Sequence, residues 1–359
     1  MKKLKPMSIL ESLHNDNIIA KKIYVYGWEN NGESSYYYDL YGSVNKYLAE
    51  PLIITEALIP ANLDNRPSII KPSTKYITIH DTAAAKKNSG ATAHKNYVVN
   101  GGGGTSWHYS IGNDGIYHHL PNNEVAYHAG DGSRLYELIS SGIKASRNNP
   151  LVTISSDGYY ELDGIRSTVL APQDNGKILS SEKINDLGIK VIVGEDNYYY
   201  IGNTWFSNTY QLIGNAGGNR NSIGIESCID QGSDLYLTWQ RLAKLVAYLL
   251  EEQSLTIDAV VQHHYFSGKD CPKTMRHANM WKDFLNLVEA ELLVRKSLKN
   301  YSVSFISNSE YLDNNGRVIK ITKEEIRVKY TIKITDKNNI IESKDFISIL
   351  KPIQQKNIN

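Results

Sequence analysis

The segment KYITIHDT (75–82) decides which kind of fold this chain adopts. Its apolar and β-branched residues form one short run from Tyr76 to Ile79, which is typical of a strand buried inside a sheet. We therefore predict a buried strand that ends at His80. The imidazole of His80 then lies at the end of that strand.

Further strands and helices alternate along the chain after this segment. The patterns predict, in order, a helix over 91–99, two strands joined by an Asn-Asp-Gly turn in WHYSIGNDGIYHHL (107–120), a strand in SIGIES (222–227), and amphipathic helices over about 240–252 and 281–298. Glu226 falls near the end of the SIGIES strand. Strands that alternate with helices across residues 74–298 predict an α/β fold with a mixed central sheet flanked by helices.

The two ends of the chain differ from this middle part. Residues 1–70 form a tyrosine-rich N-terminal extension, which ends in NRPSIIKPST (65–74), a linker or a strap on the next domain. Residues 299–359 form a small C-terminal β module, because IRVKYTIKIT (326–335) alternates strictly between apolar and polar residues. Its lysine-bearing face is either plainly solvated or a site for an anionic wall polymer, so the module is a wall binder or a spacer.

Composition excludes several classes of function. The chain has 359 residues, 41% of them hydrophobic, and a net charge of +1, so a broad basic surface for nucleic acid is not expected. Two cysteines cannot form a disulfide framework, which leaves metal binding or catalysis as special roles for them. No apolar run has the length of a signal peptide or of a membrane span, so we expect no membrane insertion.

The segment QHHYFSGKDCP (262–272) concentrates residues that bind metals. His263 and Cys271 lie on either side of a Ser-Gly turn, so both side chains can reach one ion, and His80 is a candidate third ligand. Three protein ligands plus one water make up a catalytic zinc site. From these residues alone, surface histidines with a buried thiol remain an alternative, and Asp270 is a fallback oxygen ligand.

Five segments in order resemble the motifs of type-2 N-acetylmuramoyl-L-alanine amidases, the fold shared with peptidoglycan recognition proteins and phage amidase endolysins. They are IHDT (79–82), TSWHYSIG (105–112), AYHAGD (126–131), SIGIES (222–227) and HHYFSGKDCP (263–272), and the resemblance covers roughly residues 70–133 and 217–295. It implies a catalytic domain over 71–298 that holds Zn²⁺ through His80, His263 and Cys271. The family's spacing of lysine and cysteine selects His263 over its neighbour His264.

The resemblance also implies roles around the metal. Glu226 matches the family's general base, and Lys269 matches the positive residue that stabilises the oxyanion; a salt-bridged carboxylate and a solvated turn lysine are the structural alternatives. His128 matches a histidine at the edge of the substrate cleft, and it either contacts substrate or makes a structural hydrogen bond. Trp107 stands where some members have a catalytic Tyr, so that role does not transfer, and we group Trp107 with His128 as candidate substrate contacts.

One departure from the family is large, because an insertion at about 134–217 separates AYHAGD from SIGIES. Its alternating segments and Asp-Gly and Asp-Asn turns predict β-hairpins beside the cleft. The tyrosines there and Trp205 either stack on sugar rings or simply pack the hairpins.

The implied function is a peptidoglycan hydrolase that uses zinc-activated water to cleave the amide between N-acetylmuramic acid and L-alanine. Its partner is bacterial peptidoglycan, both glycan strand and stem peptide, and we expect a monomer that acts at the cell wall, as a bacterial autolysin or a phage endolysin. The alternatives are a recognition module that binds peptidoglycan without cleaving it and a structural zinc domain.

Overall fold

The computed structural model describes residues 6–14, 16–25, 34–38, 47–130, 132–134, 137–171, 173–174, 176–181, 189, 191–202, 210–212, 218–339 and 341–352. Trp205 lies outside these described residues, as does most of the tyrosine-rich segment that follows residue 38. The helices are α1 (Pro6–Leu13), α2 (Ala91–Val99), α3 (Gly218–Asn221), α4 (Leu235–Glu252), α5 (His264–Ser267), α6 (Lys273–His277) and α7 (Trp281–Ser297), with short 3-10 turns at Gly102–Gly104 and Ile257–Ala259.

Short strands make up most of the remaining regular structure. In chain order they are β1 (Asn17–Tyr24), β2 (Ser34–Tyr38), β3 (Thr55–Glu56), β4 (Tyr76–Asp81), β5 (Tyr109–Gly112), β6 (Gly115–His118), β7 (Gly132–Arg134), β8 (Leu138–Lys144), β9 (Val152–Ile154), β10 (Tyr159–Leu162), β11 (Ile165–Leu170), β12 (Gln173–Asp174), β13 (Lys177–Ile178), β14 (Val191–Val193), β15 (Tyr198–Gly202), β16 (Tyr210–Leu212), β17 (Ser222–Ser227), β18 (Val260–Gln262), β19 (Tyr301–Ser307), β20 (Ile326–Asp336) and β21 (Ile341–Lys351).

A mixed six-stranded sheet in the order β18-β4-β17-β5-β6-β3 forms the centre of the molecule. Strands β18, β4, β17 and β5 are parallel, whereas β6 returns antiparallel to β5 through the Asn-Asp-Gly turn. This confirms the predicted α/β class with a mixed sheet. The register places Glu226 of β17 directly beside His80 of β4, so the carboxyl ends of two neighbouring parallel strands carry these two side chains.

Two long helices cover this sheet and close its core. The buried isoleucines of β4 and β17 pack with the apolar residues of α4 and α7 in one cluster. The helices predicted over 240–252 and 281–298 correspond to α4 and α7. Helix α4 begins earlier than predicted, at Leu235, because the side chain of Asp234 caps it by accepting a hydrogen bond from the backbone N–H of Leu237.

The segment between β6 and β17 folds into β-hairpins, as predicted. Strands β9, β10 and β11 form one antiparallel sheet, β14, β15 and β8 form another, and β12 pairs with β13. These hairpins share their own apolar cluster, which includes the fully buried rings of Tyr160 and Tyr199. Those two tyrosines therefore pack the hairpins, whereas Tyr198 is 38% exposed.

A separate five-stranded sheet has the order β19-β20-β21-β1-β2. The alternation predicted for β20 is confirmed, since Val328, Tyr330, Ile332 and Ile334 are buried while Arg327 and Lys329 are exposed. The sheet also takes strands from the N-terminal end of the chain, because β1 pairs in parallel with β21. The domain boundaries at residues 70 and 298 remain predictions.

The proline-bounded segment 65–74 lies along the central domain as a strap. Ile70 forms a β-bridge with Glu124, and the backbone N–H of Lys71 donates to the carbonyl of Asn123. Between the two alternatives for this segment, the structure shows the strap. Among the described residues, no helix is both long enough and apolar enough to cross a bilayer.

Candidate metal centre and cleft

A cleft of about 1060 Å³ opens at the carboxyl ends of β4 and β17. Its lining comes from the segment after β4, helix α2, the loops around Trp107 and His128, and the loop that carries Lys269 and Cys271. Every residue that the sequence assigned to the site lines it, namely His80, Trp107, His128, Glu226, His263, Lys269 and Cys271. Asp81, which was not predicted as a site residue, lines the cleft as well.

His80, His263 and Cys271 form a compact group at the base of this cleft. We call it the metal-binding group, because these three side chains could hold an ion. One potential ligand atom from each lies within 4.8 Å of the others, and all three residues are buried. Nδ1 of His80 is 3.7 Å from Sγ of Cys271. Zinc–ligand bonds of about 2.0–2.3 Å in a tetrahedron place ligand atoms about 3.3–3.8 Å apart. The group fits a zinc ion after the ligand atoms approach one another by about 1.5 Å or less.

Local backbone contacts bring these three residues together. His263 follows β18, and its N–H donates to the carbonyl of Ile79 on β4. The loop then doubles back, because the N–H of His264 donates to the carbonyl of Cys271. His264 itself lies outside the metal-binding group and is half-buried.

Burial controls the charge of these ligands. It lowers the pKa of His80 well below the usual range, and the nearby His263 and His128 act in the same direction. Burial also raises the pKa of the Cys271 thiol well above its usual range. A neutral imidazole is ready to bind a metal, whereas the thiol needs a cation to favour its thiolate.

Glu226 is a carboxylate beside this group. Its Oε1 lies 3.9 Å from Nδ1 of His80, and 16% of its side chain is exposed. Its Oε2 is buried and has no hydrogen-bond partner within the part of the chain that the structure describes. Burial raises the pKa of Glu226 to about 8, with a further increase from Asp81 and an opposing effect from Lys269. A buried oxygen without a partner is available to a ligand.

Lys269 is half-buried in the cleft wall. Its positive charge lowers the pKa values of His80, Glu226 and Cys271. The role of Lys269 as the residue that stabilises the oxyanion stays a prediction.

Asp270 has a structural role. Its two oxygens receive hydrogen bonds from Nε of Arg276, at 2.8 Å, and from Nε2 of His277, at 2.7 Å. Although burial opposes ionisation, His277 and Arg276 lower the pKa of Asp270 to about 2. Arg276 also donates to Oε1 of Gln262, so this network ties the Cys271 loop to β18. Asp270 does not belong to the metal-binding group.

Trp107 and His128, the two candidate substrate contacts, differ in which of their atoms can reach a substrate. Trp107 is 5% exposed, and its indole N–H donates to Oγ of Ser110, so only the ring can face a substrate. His128 is half-buried, with Nδ1 at 2.9 Å from Nε2 of His80 and Nε2 at 3.3 Å from Oγ of Ser222. Their substrate contact remains a prediction.

Asn219 shapes the cleft edge and was missed from the sequence. Its side-chain oxygen accepts hydrogen bonds from the backbone N–H groups of His128, Ala129 and Gly130. An asparagine just before a strand is the only local indication of such a role. The turns that it stabilises lie on the far side of the insertion.

Comparison with known proteins shows which family this chain is similar to. The family model described as N-acetylmuramoyl-L-alanine amidase matches residues 71–164 and 171–274. The amidase CwlH of Bacillus subtilis (strain 168) is 25% identical over 233 residues, which cover 65% of this chain and 60% of that protein. The amidase XlyA of the same organism is 25% identical over 231 residues, covering 64% of this chain and 49% of that protein.

The chain thus spans roughly half to three-fifths of the length of these curated relatives. The solved catalytic domain of XlyA aligns with 66% of this chain and 99% of its own length, at 24% identity and a TM-score of 0.41. Since the family model covers more than half of the residues, the chain belongs to the N-acetylmuramoyl-L-alanine amidase family.

Proposed function

We propose that this protein is a zinc-dependent peptidoglycan hydrolase that cleaves the amide between N-acetylmuramic acid and the L-alanine of the stem peptide. The observation that carries the proposal is the group His80, His263 and Cys271, whose ligand atoms lie within 4.8 Å of one another beside a buried carboxylate oxygen without a partner. Membership of the amidase family and the names of its relatives support the same reaction.

Two imidazoles and a thiolate are a ligand set that zinc accepts readily. Zinc held by these three residues would supply the nucleophile, because zinc lowers the pKa of a bound water toward neutrality.

Glu226 is the proton carrier in this proposal. As the water oxygen bonds to the lactyl carbonyl carbon, one water proton passes to the Glu226 carboxylate. When the C–N bond breaks, that proton passes on to the departing nitrogen of L-alanine, so the reaction gives a carboxylic acid, a free amine and an unchanged Glu226; the carboxylic acid then releases its proton to solvent. A cation beside Glu226 favours its ionised form and so offsets the effect of burial on its pKa.

Lys269 is the oxyanion stabiliser in this proposal. Its ammonium, near the base of the cleft, offers positive charge to the carbonyl oxygen as that oxygen becomes negative. The ring of Trp107 and the edge of His128 line the cleft where sugar and peptide approach. The substrate is bacterial peptidoglycan, and we propose that the protein acts as a monomer at the cell wall, as an autolysin or as an endolysin.

The test is digestion of purified peptidoglycan by the wild type, Cys271→Ser and Glu226→Gln, with and without chelator and added zinc. New L-alanine amino termini are counted against new reducing ends. We expect amino termini only, and their loss with chelator and in both variants. Glu226→Gln serves as the matched variant, because it should still bind zinc while cleavage falls at least about 100-fold.

If the wild type binds peptidoglycan but produces neither kind of end with zinc present, the protein is a recognition module. New reducing ends instead of amino termini would identify a glycosidase and contradict the proposal.

A further inference from the structure

We infer that His128 is a positioning residue for the metal centre, which fixes the nitrogen of His80 that faces the metal. The inference rests on the proposed zinc site and adds to it a residue that does not touch the ion. It also chooses between the two roles that the sequence left open for His128, substrate contact and structural hydrogen bonding.

The two nitrogens of His80 point to different surroundings. Nδ1 faces Sγ of Cys271 at 3.7 Å and Oε1 of Glu226 at 3.9 Å. Nε2 lies on the other side of the ring, 2.9 Å from Nδ1 of His128. The two rings meet edge to face, with an interplanar angle of 80°. The arrangement makes Nδ1 the ligand atom and leaves Nε2 to the protein.

The hydrogen bonds behind His80 favour one direction of donation. A neutral His80 that binds metal through Nδ1 carries its proton on Nε2, and among the described residues Nδ1 of His128 is the acceptor in reach, at 2.9 Å. His128 then carries its own proton on Nε2 and donates it to Oγ of Ser222, at 3.3 Å. The Ser222 hydroxyl in turn donates to the carbonyl of Gly218, at 2.7 Å, and accepts from Thr78. Each proton in this series of hydrogen bonds has one acceptor.

The opposite direction produces a conflict. If Nδ1 of His128 donated to His80, Nε2 of His128 would need a proton from the Ser222 hydroxyl. That hydroxyl has a single proton, which already lies on the shorter bond to Gly218. His80 would then carry its proton on Nδ1, where it blocks metal binding. The surroundings of His128 therefore select the tautomer of His80 that binds zinc.

The position of the His128 ring is itself fixed. Asn219 holds the backbone N–H of His128, and the imidazole lies directly over Gly224 of β17. A Cβ atom at Gly224 would come within 2.7 Å of the ring, so only glycine leaves this space open. Because both ring nitrogens bond within the protein, His128 has no polar atom left to offer a substrate.

The test measures zinc affinity on the full chain by competition with a chromogenic chelator, for the wild type, His128→Ala, His128→Asn and His128→Gln. We expect His128→Ala to weaken zinc binding about 10–100-fold, as is usual when a partner of a metal-binding histidine is lost. Asparagine can place an oxygen near the position of Nδ1, so it should recover most of the affinity. Glutamine places its polar group near Nε2 and should not. His94→Ala, at another histidine lining the cleft, is the control and should stay within about 3-fold.

A second set of variants tests the geometry without removing a hydrogen-bonding group. Gly224→Ala should displace the ring and weaken zinc binding about as much as His128→Ala. In the double variant the two effects should overlap rather than add, because both act through the same ring. Additive losses would show that Gly224 affects the site by another route and would contradict this part of the inference.

The outcomes separate the inference from the proposed function. A wild type that holds no zinc overturns both. A wild type that binds zinc, with His128→Ala binding it equally well, overturns the inference alone. If His128→Ala does not fold, the asparagine and glutamine variants decide, and equal affinities for those two overturn the inference. Substitution with Co²⁺ adds a spectroscopic check, since the thiolate band from Cys271 should weaken or shift in His128→Ala and return in His128→Asn.

Discussion

Lys71 is a buried amine for which the proposed reaction has no use. It is 5% exposed, and its Nζ donates to the carbonyl of Ser222, at 2.8 Å, and lies 3.5 Å from Nε2 of His108. Burial lowers the pKa of this amine to about 7. The proline-bounded strap thus carries a side chain whose charged form the fold disfavours.

This burial predicts a pH dependence of stability. The ordinary pKa of lysine is 10.5, so between about pH 7 and 10.5 the unfolded chain binds more protons at Lys71 than the folded chain does. The contribution of Lys71 to the free energy of unfolding therefore rises with pH across this window, by up to about 1.4 kcal/mol per pH unit. Urea unfolding of the wild type and Lys71→Met from pH 6.5 to 9.5 should show the wild type gaining relative to the variant.

Lys75→Met is the matched control, because it removes one positive charge from an exposed position just after the same segment. The difference in free energy of unfolding between this variant and the wild type should stay constant across the pH range. If the difference for Lys71→Met is constant as well, the amine of Lys71 binds protons equally in the folded and unfolded states, and the prediction is wrong.

At the scale of single residues, the sequence predicts the group His80, His263 and Cys271. It does not predict buried residues such as Lys71 and Asn219, which hold the surrounding segments together. His263 and Cys271 are close in sequence, and the end of a buried strand marks His80. Lys71 and Asn219 carry no such local pattern, because their partners lie in segments that the chain brings together only on folding. Hydrogen bonds between distant segments leave no spacing in the sequence to read.

Among the elements, the inserted hairpins and the metal-binding loop meet at Gly268. This glycine has a φ of 76° and ends α5 by donating from its N–H to the carbonyl of His264. A Cβ atom there would lie 2.4 Å from the carbonyl oxygen of Ile189, in the insertion. The sequence predicts a turn at this glycine, but the contact with Ile189 requires the packing of two separate segments.

Gly268→Ala should therefore lower the free energy of unfolding by more than the backbone strain alone accounts for. The left-handed backbone accounts for about 1–2 kcal/mol, and the close approach to the insertion adds to it. Gly232→Ala is the matched control, since Gly232 has a φ of 84° and no atom within 4 Å of its Cβ position. Urea unfolding should show Gly268→Ala to be less stable than Gly232→Ala by at least about 1 kcal/mol, with weaker zinc binding as well. Equal losses in the two variants would mean that the insertion does not press on the metal-binding loop.

In the whole molecule, one helix belongs to two apolar cores. Phe284, Leu287 and Val288 of α7 pack into the core of the central sheet, whereas Ala290 of the same helix packs into a second core. That second core combines α1 and β1 from the start of the chain with β20 and β21 from its end. The alternation in β20 predicts a buried face, yet pairing between strands some three hundred residues apart has no local sequence pattern.

This shared helix predicts that the two cores unfold together. Leu10, in α1, is fully buried in the second core, and Leu10→Ala should cost about 2–5 kcal/mol. Because α7 couples the cores, the loss should appear in the same transition that unfolds the central sheet, where Trp239 and Trp281 pack. Thermal unfolding followed by tryptophan fluorescence and by far-UV circular dichroism should give one coincident midpoint, lowered in the variant.

Leu242→Ala, at a fully buried position in the first core, is the comparison and should lower the same midpoint. An early transition in circular dichroism that leaves the fluorescence midpoint unchanged would show that the second core unfolds alone. No described residue of the second core lines the cleft, so Leu10→Ala should keep the wild-type zinc affinity at temperatures where it is folded.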